Sequence, residues 1–323
     1  MTRFLTALLA TLLVAPAAAP RPAQSQEWPT QPIRIIESYP AGVARDAVTR
    51  VLADKLSGVL GQRVFVENRP GGSGRIAGLA AAKASPDGYT FLCVGIGEAA
   101  ITRHLFALPY DLDRDFVPVS QVLTVPAALV VRSSLPVKSV AELVDYAKGH
   151  PGELSYGSTG AGLFLHLNGL LFEDLTGIAL KHVPYGQGSP FSDLLGGHID
   201  MVFDALVPTI ENIKARRLRA LAVAGRARLS ALPDVPTFAE AGLPDYSPYG
   251  IVGLLAPKDT PESIVTRMQS AVVTVLKDPD LRKLWESQGN VLVGSSPAEF
   301  ASAMRAESDR WAKIIAKNSI KVE

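Results

Sequence analysis

Short apolar runs rich in β-branched residues alternate with longer segments of helical periodicity along most of this chain. Residues 33–37 predict a buried strand, and residues 45–60 predict the helix that follows, because apolar side chains recur there every three or four positions before Gly61. The same alternation repeats through residues 64–105 and 128–224. It predicts an α/β fold with mostly parallel strand pairing.

The last part of the chain departs from this alternation. Residues 249–256 predict one apolar strand, and three helices follow it. Thr260, Asp278 and Ser296 each precede a proline suited to the first position of a helix, and Glu299 is placed to complete a capping box with Ser296. One strand and three helices are too few for a third doubly wound domain.

We therefore predict two doubly wound α/β domains joined by a hinge, with the ligand cleft between them. The first lobe comprises residues 26–126 and 249–323, and the second comprises residues 127–248. The two crossovers, near residues 124–127 and 248–250, are the expected hinges.

The N-terminus predicts export. A basic start at Arg3 precedes an uncharged apolar run over residues 4–19, which Pro16 interrupts and which is shorter than a spanning helix prefers. We expect a signal peptide over residues 1–25, cleaved after Ser25, and a periplasmic mature protein; a retained membrane anchor is the alternative. Cleavage removes two arginines, so the formal net charge of +1 becomes −1.

Charge and cysteine content narrow the function. The 32 Lys and Arg residues nearly balance the 31 Asp and Glu residues, so no bulk charge favours nucleic acid. Cys93 is the one cysteine, which excludes an internal disulfide and an all-cysteine metal site. The five histidines have no metal-ligand spacing, so no metal is expected.

Two motifs suggest chemistry that their surroundings do not support. Residues 72–77 match the G-x-G-x-x-A dinucleotide form, but no acidic residue lies about 20 positions further on, so we predict no nicotinamide cofactor. Ser158 lacks the nucleophile elbow of serine hydrolases because position 156 is Tyr. No cofactor is expected.

The loops after the strands are the candidate ligand site, because ligands of open α/β sheets lie at the carboxyl ends of the strands. In the first loop, Tyr39, Ala41 and Gly42 precede a helix start, where backbone N–H groups favour an anion. Asp46 either accepts a hydrogen bond from a ligand amine or hydroxyl, or only complements the helix dipole. Gly97 and Glu98 close the same side of the cleft.

The facing side of the cleft has a second helix start. Ser158, Thr159 and Gly160 form a neutral anion cradle after a predicted strand, or one hydroxyl merely caps the helix. His166 faces either the cleft or the core. Two further residues complete the predicted site: Tyr185 as an amphipathic wall and Asp204 at the end of its strand.

Several motifs occur in a fixed order along the chain. They are Trp28-Pro29, Val66-Glu67-Asn68-Arg69-Pro70, Ser85-Pro86-Asp87-Gly88-Tyr89, Asp115-Phe116-Val117-Pro118, Tyr156-Gly157-Ser158, His182-Val183-Pro184-Tyr185 and Pro233-Asp234-Val235-Pro236-Thr237. In this order the motifs resemble the Bug receptors, the extracytoplasmic solute-binding receptors of tripartite tricarboxylate transporters. The resemblance covers essentially the whole mature chain.

The resemblance implies the two-lobed periplasmic-binding-protein fold and a hinge-closing, non-enzymatic receptor. Its expected ligand is a small organic carboxylate: a mono- or dicarboxylate, an amino acid or a related acid. Its partners would be membrane components of such a transporter or a signalling protein, and it would be a monomer. The carboxylate would lie between the first loop and the Ser/Thr loop. The residues that the resemblance implicates are Tyr39, Ala41, Gly42, Asp46, Ser158, Thr159, His166 and Asp204.

Three departures from the family pattern affect the expected ligand. Val43 stands in place of a second glycine, Gly186 in place of a lysine, and Glu98 in place of a small hydroxyl or amide residue. They disfavour a multiply charged anion such as citrate and favour a monocarboxylate, an amino acid or an amide-bearing acid. The alternatives are an exported enzyme acting on a small carboxylate or ester in the same cleft through Ser158, His166 and Asp204, and a partner-binding module.

Overall fold

The computed structural model describes residues 28–186, 189–205, 209–246 and 248–322. The predicted signal peptide and its cleavage site lie outside these ranges. Within them, no helix combines the length and the apolar character that crossing a membrane requires.

Strands and helices alternate as the sequence predicts. In the described residues the strands are β1 (Ile33–Glu37), β2 (Val64–Asn68), β3 (Thr90–Gly95), β4 (Phe116–Arg132), β5 (Ser155–Ser158), β6 (Lys181–Pro184), β7 (Met201–Ala205), β8 (Leu218–Val223), β9 (Tyr249–Pro257) and β10 (Val291–Leu292). The helices are α1 (Ala44–Leu60), α2 (Arg75–Ala82), α3 (Thr102–Leu105), α4 (Val140–Gly149), α5 (Phe164–Thr176), α6 (Phe191–Gly196), α7 (Ile210–Lys214), α8 (Glu262–Val275), α9 (Pro279–Ser287) and α10 (Pro297–Lys317). A π-helical turn, Gly97–Ile101, leads into α3.

Two of the three predicted helix caps are confirmed. The Asp278 side chain accepts hydrogen bonds from the first turn of α9, and Ser296 with Glu299 forms the complete capping box of α10. The expectation for Thr260 was wrong. Its hydroxyl donates to the carbonyl of Pro257, and α8 begins after Pro261 without a side-chain cap.

The sheet is mixed, so the expectation of mostly parallel pairing was also wrong. Its strand order is β2-β1-β3-β9-β4-β7-β5-β6, with β8 and β10 also paired to β4. Among the described pairs, four are parallel and five are antiparallel. The antiparallel pairs all involve β4 or β9. The sequence pattern predicts the strand β9 but not its antiparallel pairing, and it predicts only the second half of β4.

The long strand β4 joins the two parts of the sheet. From Phe116 to Pro126 it pairs with β9, and from Ala127 onward it pairs with β7 and β8. The sequence predicted its strand only from residue 128, because Pro118 and Pro126 interrupt the earlier apolar run.

The direction of the strands around β4 places the loops. Strands β1 and β3 are antiparallel to β9, which is antiparallel to β4, so β1 and β3 run in the direction of β4. Strands β5, β6 and β7 run against it. The carboxyl ends of the two groups therefore point toward each other, from opposite sides of the place where β4 changes partners.

Helix α10 packs against both parts of the molecule. Near its start, Phe300 lies against Gly253 of β9, where a Cβ atom would collide with the ring. Further along, the Trp311 ring meets Phe164 of α5 edge-on, with centroids 5.7 Å apart. At its end, Lys317 forms an ion pair with Asp174 of α5 at 2.9 Å.

Candidate ligand site

The first loop is shaped by Asp46, which lies in the first turn of α1. Gly42 adopts a left-handed φ of 88° and donates its N–H to the Asp46 carboxylate at 2.8 Å. Arg50 and Asn68 donate to the same carboxylate at 2.8 and 2.7 Å. Burial would raise the pKa of Asp46, but these hydrogen bonds hold it below its usual value. Asp46 is buried, and its described contacts hold the loop in shape.

Behind the first loop lies a buried ionic cluster centred on Arg45. Its Nε donates to Glu37 at 2.8 Å. Its Nη1 and Nη2 donate to the two oxygens of Glu98 at 2.9 and 3.0 Å. Ser38 donates its hydroxyl to Glu98, and the N–H of Gly95 reaches the same carboxylate at 3.0 Å. The predicted site residue Glu98 is thus buried and bonded within the protein.

The charges of this cluster stabilise one another. Burial would lower the pKa of Arg45, but Glu98 and Glu37 raise it well above its usual value. Burial would likewise raise the pKa of Glu98, and the Arg45 guanidinium holds it below its usual value instead. Arg45 and Glu98 are therefore charged near neutral pH.

The sequence analysis did not predict the ionic cluster that Arg45 and Glu37 form behind the first loop of the candidate site. Both had a signal in the sequence. Glu37 is a carboxylate at the carboxyl end of a buried strand, the same signal that drew attention to Asp204. Arg45 is a cation in the first turn of a helix, where the helix dipole disfavours positive charge.

The outer part of the first loop is exposed. The Tyr39 ring, 45% exposed, lies over the Arg45 guanidinium at 4.0 Å. Ala41 and Gly42 are exposed, and Gly97 of the neighbouring loop is half-buried. Among the described residues, the backbone N–H groups of Ala41 and Val43 have no hydrogen-bond acceptor, so two donors lie at the start of α1.

The second loop is held by Ser158 at the end of β5. Its hydroxyl lies 2.6 Å from Nε2 of His182 and accepts the N–H of Gly160 at 3.1 Å. Thr159 and Gly160 are half-buried. Within the described ranges, the N–H groups of Thr159 and Ala161 find no acceptor. This loop offers backbone N–H groups and hydroxyls just before α5.

His166 has a structural contact in this loop. Its Nδ1 accepts the N–H of Gly162 at 2.9 Å, and the residue is buried. Its ring stacks on that of His182 with centroids 4.0 Å apart. Burial lowers the pKa of His166; burial and then His166 lower the pKa of His182 to about 4. Both imidazoles are neutral at pH 7, and His182 is another residue that the sequence reasoning missed.

Tyr185 and Asp204 contribute less to the described site. The Tyr185 hydroxyl donates to Asp193 at 2.6 Å, so its polar end is bonded within its own part of the molecule. Burial and that carboxylate raise the pKa of Tyr185 to about 12. Asp204 ends β7 opposite Ala128, but its side chain lies outside the part of the chain that the structure describes.

The two loops lie on opposite sides of the place where β4 changes partners, at strand ends that point toward each other. The Arg45 cluster lies by the end of β1 and the Ser158–His182 pair by the end of β5, so they belong to opposite sides. Gly162 of the second loop also packs near α3, where a Cβ atom would lie 3.1 Å from Leu105. In the described ranges no group of three or more His, Cys, Asp or Glu side chains could hold a metal ion.

Comparisons with known proteins agree with this arrangement. The sequence profile described as "Tripartite tricarboxylate transporter family receptor" matches residues 48–320. Protein BugT of Bordetella pertussis is 32% identical over 100% of this chain and 99% of its own length. A solved R. palustris protein with adipate is 35% identical, covers 91% of this chain and 99% of its own, and has a TM-score of 0.80.

A second solved structure is similar along nearly the whole chain. MatC from Rhodopseudomonas palustris with bound malate is 29% identical, with a TM-score of 0.76, and the match covers 89% of this chain and 100% of that one. These similarities confirm the predicted two-lobed α/β fold and the predicted family resemblance.

Proposed function

Because the chain belongs to the tripartite tricarboxylate transporter receptor family, we propose that it is an exported solute-binding protein that closes two lobes over a small organic carboxylate. The first lobe would comprise residues 26–126 and 249–323, and the second residues 127–248. The hinges would lie where β4 changes partners and at the start of β9, near Tyr249. Tyr39, Ala41, Gly42, Ser158, Thr159 and Gly160 would contact the ligand or position its contacts.

The observation that carries this proposal is the pair of facing loops at the starts of α1 and α5. Each presents backbone N–H groups without acceptors among the described residues, next to a helix N-terminus that favours negative charge. The R. palustris relatives, solved with adipate and malate, support a carboxylate as the ligand. We also propose that the protein is a periplasmic monomer. It would deliver its ligand to membrane components of a transporter or to a signalling partner.

A binding screen tests the proposal. The mature protein from Gln26 onward is unfolded and refolded to remove carried-over ligand, then heated with mono-, di- and tricarboxylates and amino acids. A ligand present at 100 times its Kd should stabilise the fold by about 2.7 kcal/mol and raise Tm measurably. No rise for any compound would contradict the carboxylate assignment.

A matched pair of variants tests the site. Ser158→Ala removes the hydroxyl that bonds Gly160 and His182, and we expect about a tenfold loss of affinity. Ser287→Ala, at an exposed serine of α9 far from the loops, should leave affinity unchanged.

The same variant tests the enzyme alternative, because the 2.6 Å separation of Ser158 and His182 is also that of a nucleophile and its base. Among the described residues, no carboxylate is hydrogen-bonded to Nδ1 of His182, the ring nitrogen that faces away from Ser158. A receptor shows no turnover of an ester of its ligand before or after Ser158→Ala; turnover that the substitution abolishes would establish the enzyme instead.

A further inference from the structure

The guanidinium of Arg45 has two edges at which a carboxylate can form a pair of parallel hydrogen bonds. Glu98 fills the edge formed by Nη1 and Nη2, with one oxygen on each nitrogen. A single oxygen of Glu37 accepts from both Nε and Nη2 and so fills the other edge. Neither edge is open to a carboxylate from outside.

The cluster also carries excess negative charge. One half-buried cation faces two buried carboxylates. Both carboxylates accept further hydrogen bonds within the protein: Glu98 from Ser38 and Gly95, and Glu37 from Thr49. These hydrogen bonds hold the charges where solvent screens them little, so they interact strongly with a charged group of a nearby ligand.

The cluster lies directly under the first loop. Ser38 belongs both to the cluster and to the loop. The exposed Tyr39 ring lies over the Arg45 guanidinium and separates it from solvent. The glycine at position 95 leaves room for the guanidinium, because a Cβ atom there would collide with Nη1. A ligand seated against Tyr39 therefore has a negative cluster behind its first-lobe end.

We propose that Glu98 determines ligand specificity by acting as a built-in carboxylate that occupies Arg45, so the receptor selects acids with one carboxylate and an amide or amino N–H donor at the far end. The inference rests on the proposed function. The single carboxylate binds at the helix-start N–H groups of the second loop. A second carboxylate at the other end meets a filled guanidinium and net negative charge, whose repulsion outweighs the attraction of the N–H groups of Ala41 and Val43 in the first loop.

Matched ligand pairs test this proposal by isothermal titration. Succinamate against succinate, and glutaramate against glutarate, differ in one end group at nearly constant shape. We expect each monoamide to bind at least tenfold more tightly than its diacid. The affinities of the amino acids β-alanine and 4-aminobutyrate, measured beside those of the amides, show whether the protein prefers a cationic or a neutral N–H donor at the far end of the ligand.

Variants at position 98 make the test specific to this residue. Glu98→Gln keeps the shape but removes the charge, and Glu98→Ala opens the Nη1–Nη2 edge; both should lower the ratio of monoamide to diacid affinity at least tenfold. Glu67→Gln removes a carboxylate from a half-buried ion pair on β2, outside the Arg45 cluster, and should leave the ratio unchanged. Circular dichroism melts identify which variants are folded, and Glu98→Gln carries the test if the alanine variant does not fold.

The outcomes separate the two proposals. Equal or tighter binding of the diacids by the wild-type protein, or an unchanged ratio in a folded Glu98→Gln variant, would overturn the role of Glu98 while leaving the receptor function standing. If neither ligand series nor any other carboxylate binds, the receptor proposal fails and this one fails with it.

Discussion

His166 and His182 stack against each other from α5 and β6, with ring centroids 4.0 Å apart and planes 24° from parallel. Tyr156 lies beside both rings, at 6.5 Å from His166 and 5.0 Å from His182. Two positive charges at this separation in a half-buried site would repel each other, so the pair is stable in its neutral form.

Acid should therefore weaken the fold through His182. Its pKa is about 4 in the folded protein against an ordinary value of about 6.5, so the unfolded chain binds more protons between these values. The free energy of unfolding is not reduced by His182 above about pH 6.5, and it falls as the pH drops toward 4. From pH 7 to pH 5 we expect His182 to account for a loss of about 1 kcal/mol, discounted for solvent screening, in urea unfolding followed by circular dichroism.

Two variants isolate this effect. His182→Gln keeps a polar partner for Ser158 but cannot titrate, so stability should depend less on pH. His198→Gln, at an exposed histidine on the loop after α6, should retain the wild-type pH dependence. An unchanged dependence in His182→Gln would contradict the assignment.

Two glycines in helix interiors should respond oppositely to alanine. At Gly169 of α5 a Cβ atom would collide with the buried Tyr156 ring, so Gly169→Ala should cost about 1–3 kcal/mol. At Gly58 of α1 a Cβ atom meets nothing within 4 Å, so Gly58→Ala should stabilise the helix by about 0.5–1 kcal/mol. The urea midpoint measures both, and destabilisation by Gly58→Ala would contradict this account.

Removing Arg45 should destabilise the protein strongly. Arg45→Met leaves Glu37 and Glu98 buried without their cation, at an expected cost of about 3–5 kcal/mol. Combining it with Glu98→Gln should recover part of that cost, because one uncompensated charge is gone. The control is Arg34→Met, which breaks a more exposed pair with Glu67 and should cost less than about 1 kcal/mol. Similar losses for both arginines would contradict the buried cluster.

Asp46 and Asp54 lie on the same helix and should differ in importance. Asp46→Ala removes the acceptor of Gly42, Arg50 and Asn68, and we expect a loss of about 1–3 kcal/mol together with weaker ligand binding. Asp54→Ala, at an exposed position, should change stability by less than about 0.5 kcal/mol. Thermal melts with and without a bound carboxylate measure both effects.

The elements were predictable where local pattern decides them. Strand β1 was predicted with its observed bounds, and the caps at Asp278 and Ser296 are local hydrogen bonds between neighbouring residues. The first half of β4 was not predicted, since two prolines interrupt its pattern and its pairing with β9 joins residues far apart in sequence. Long-range pairing leaves no local signal.

The positions of the candidate site's loops were predictable. The loops after β1 and β5 lead into helices α1 and α5, as the strand-to-helix pattern predicts. The side-chain partners were not predictable, because they depend on contacts between strands. Ser158 meets His182 rather than His166 only because β6 lies beside β5. Glu98 meets Arg45 because β3 lies beside β1.

The position of β9 between β3 and β4 has a consequence for how the protein is made. A ribosome delivers the chain from its first residue, so β1, β2 and β3 emerge early and can pair with each other. The other side of β3, which is buried along its whole length, stays unpaired until residues 249–257 follow. During that interval the nascent chain exposes an apolar strand edge, the feature by which unfinished proteins aggregate. Folding of the first part of the sheet therefore cannot be completed until residues 249–257, more than three-quarters of the way along the sequence, are available to pair.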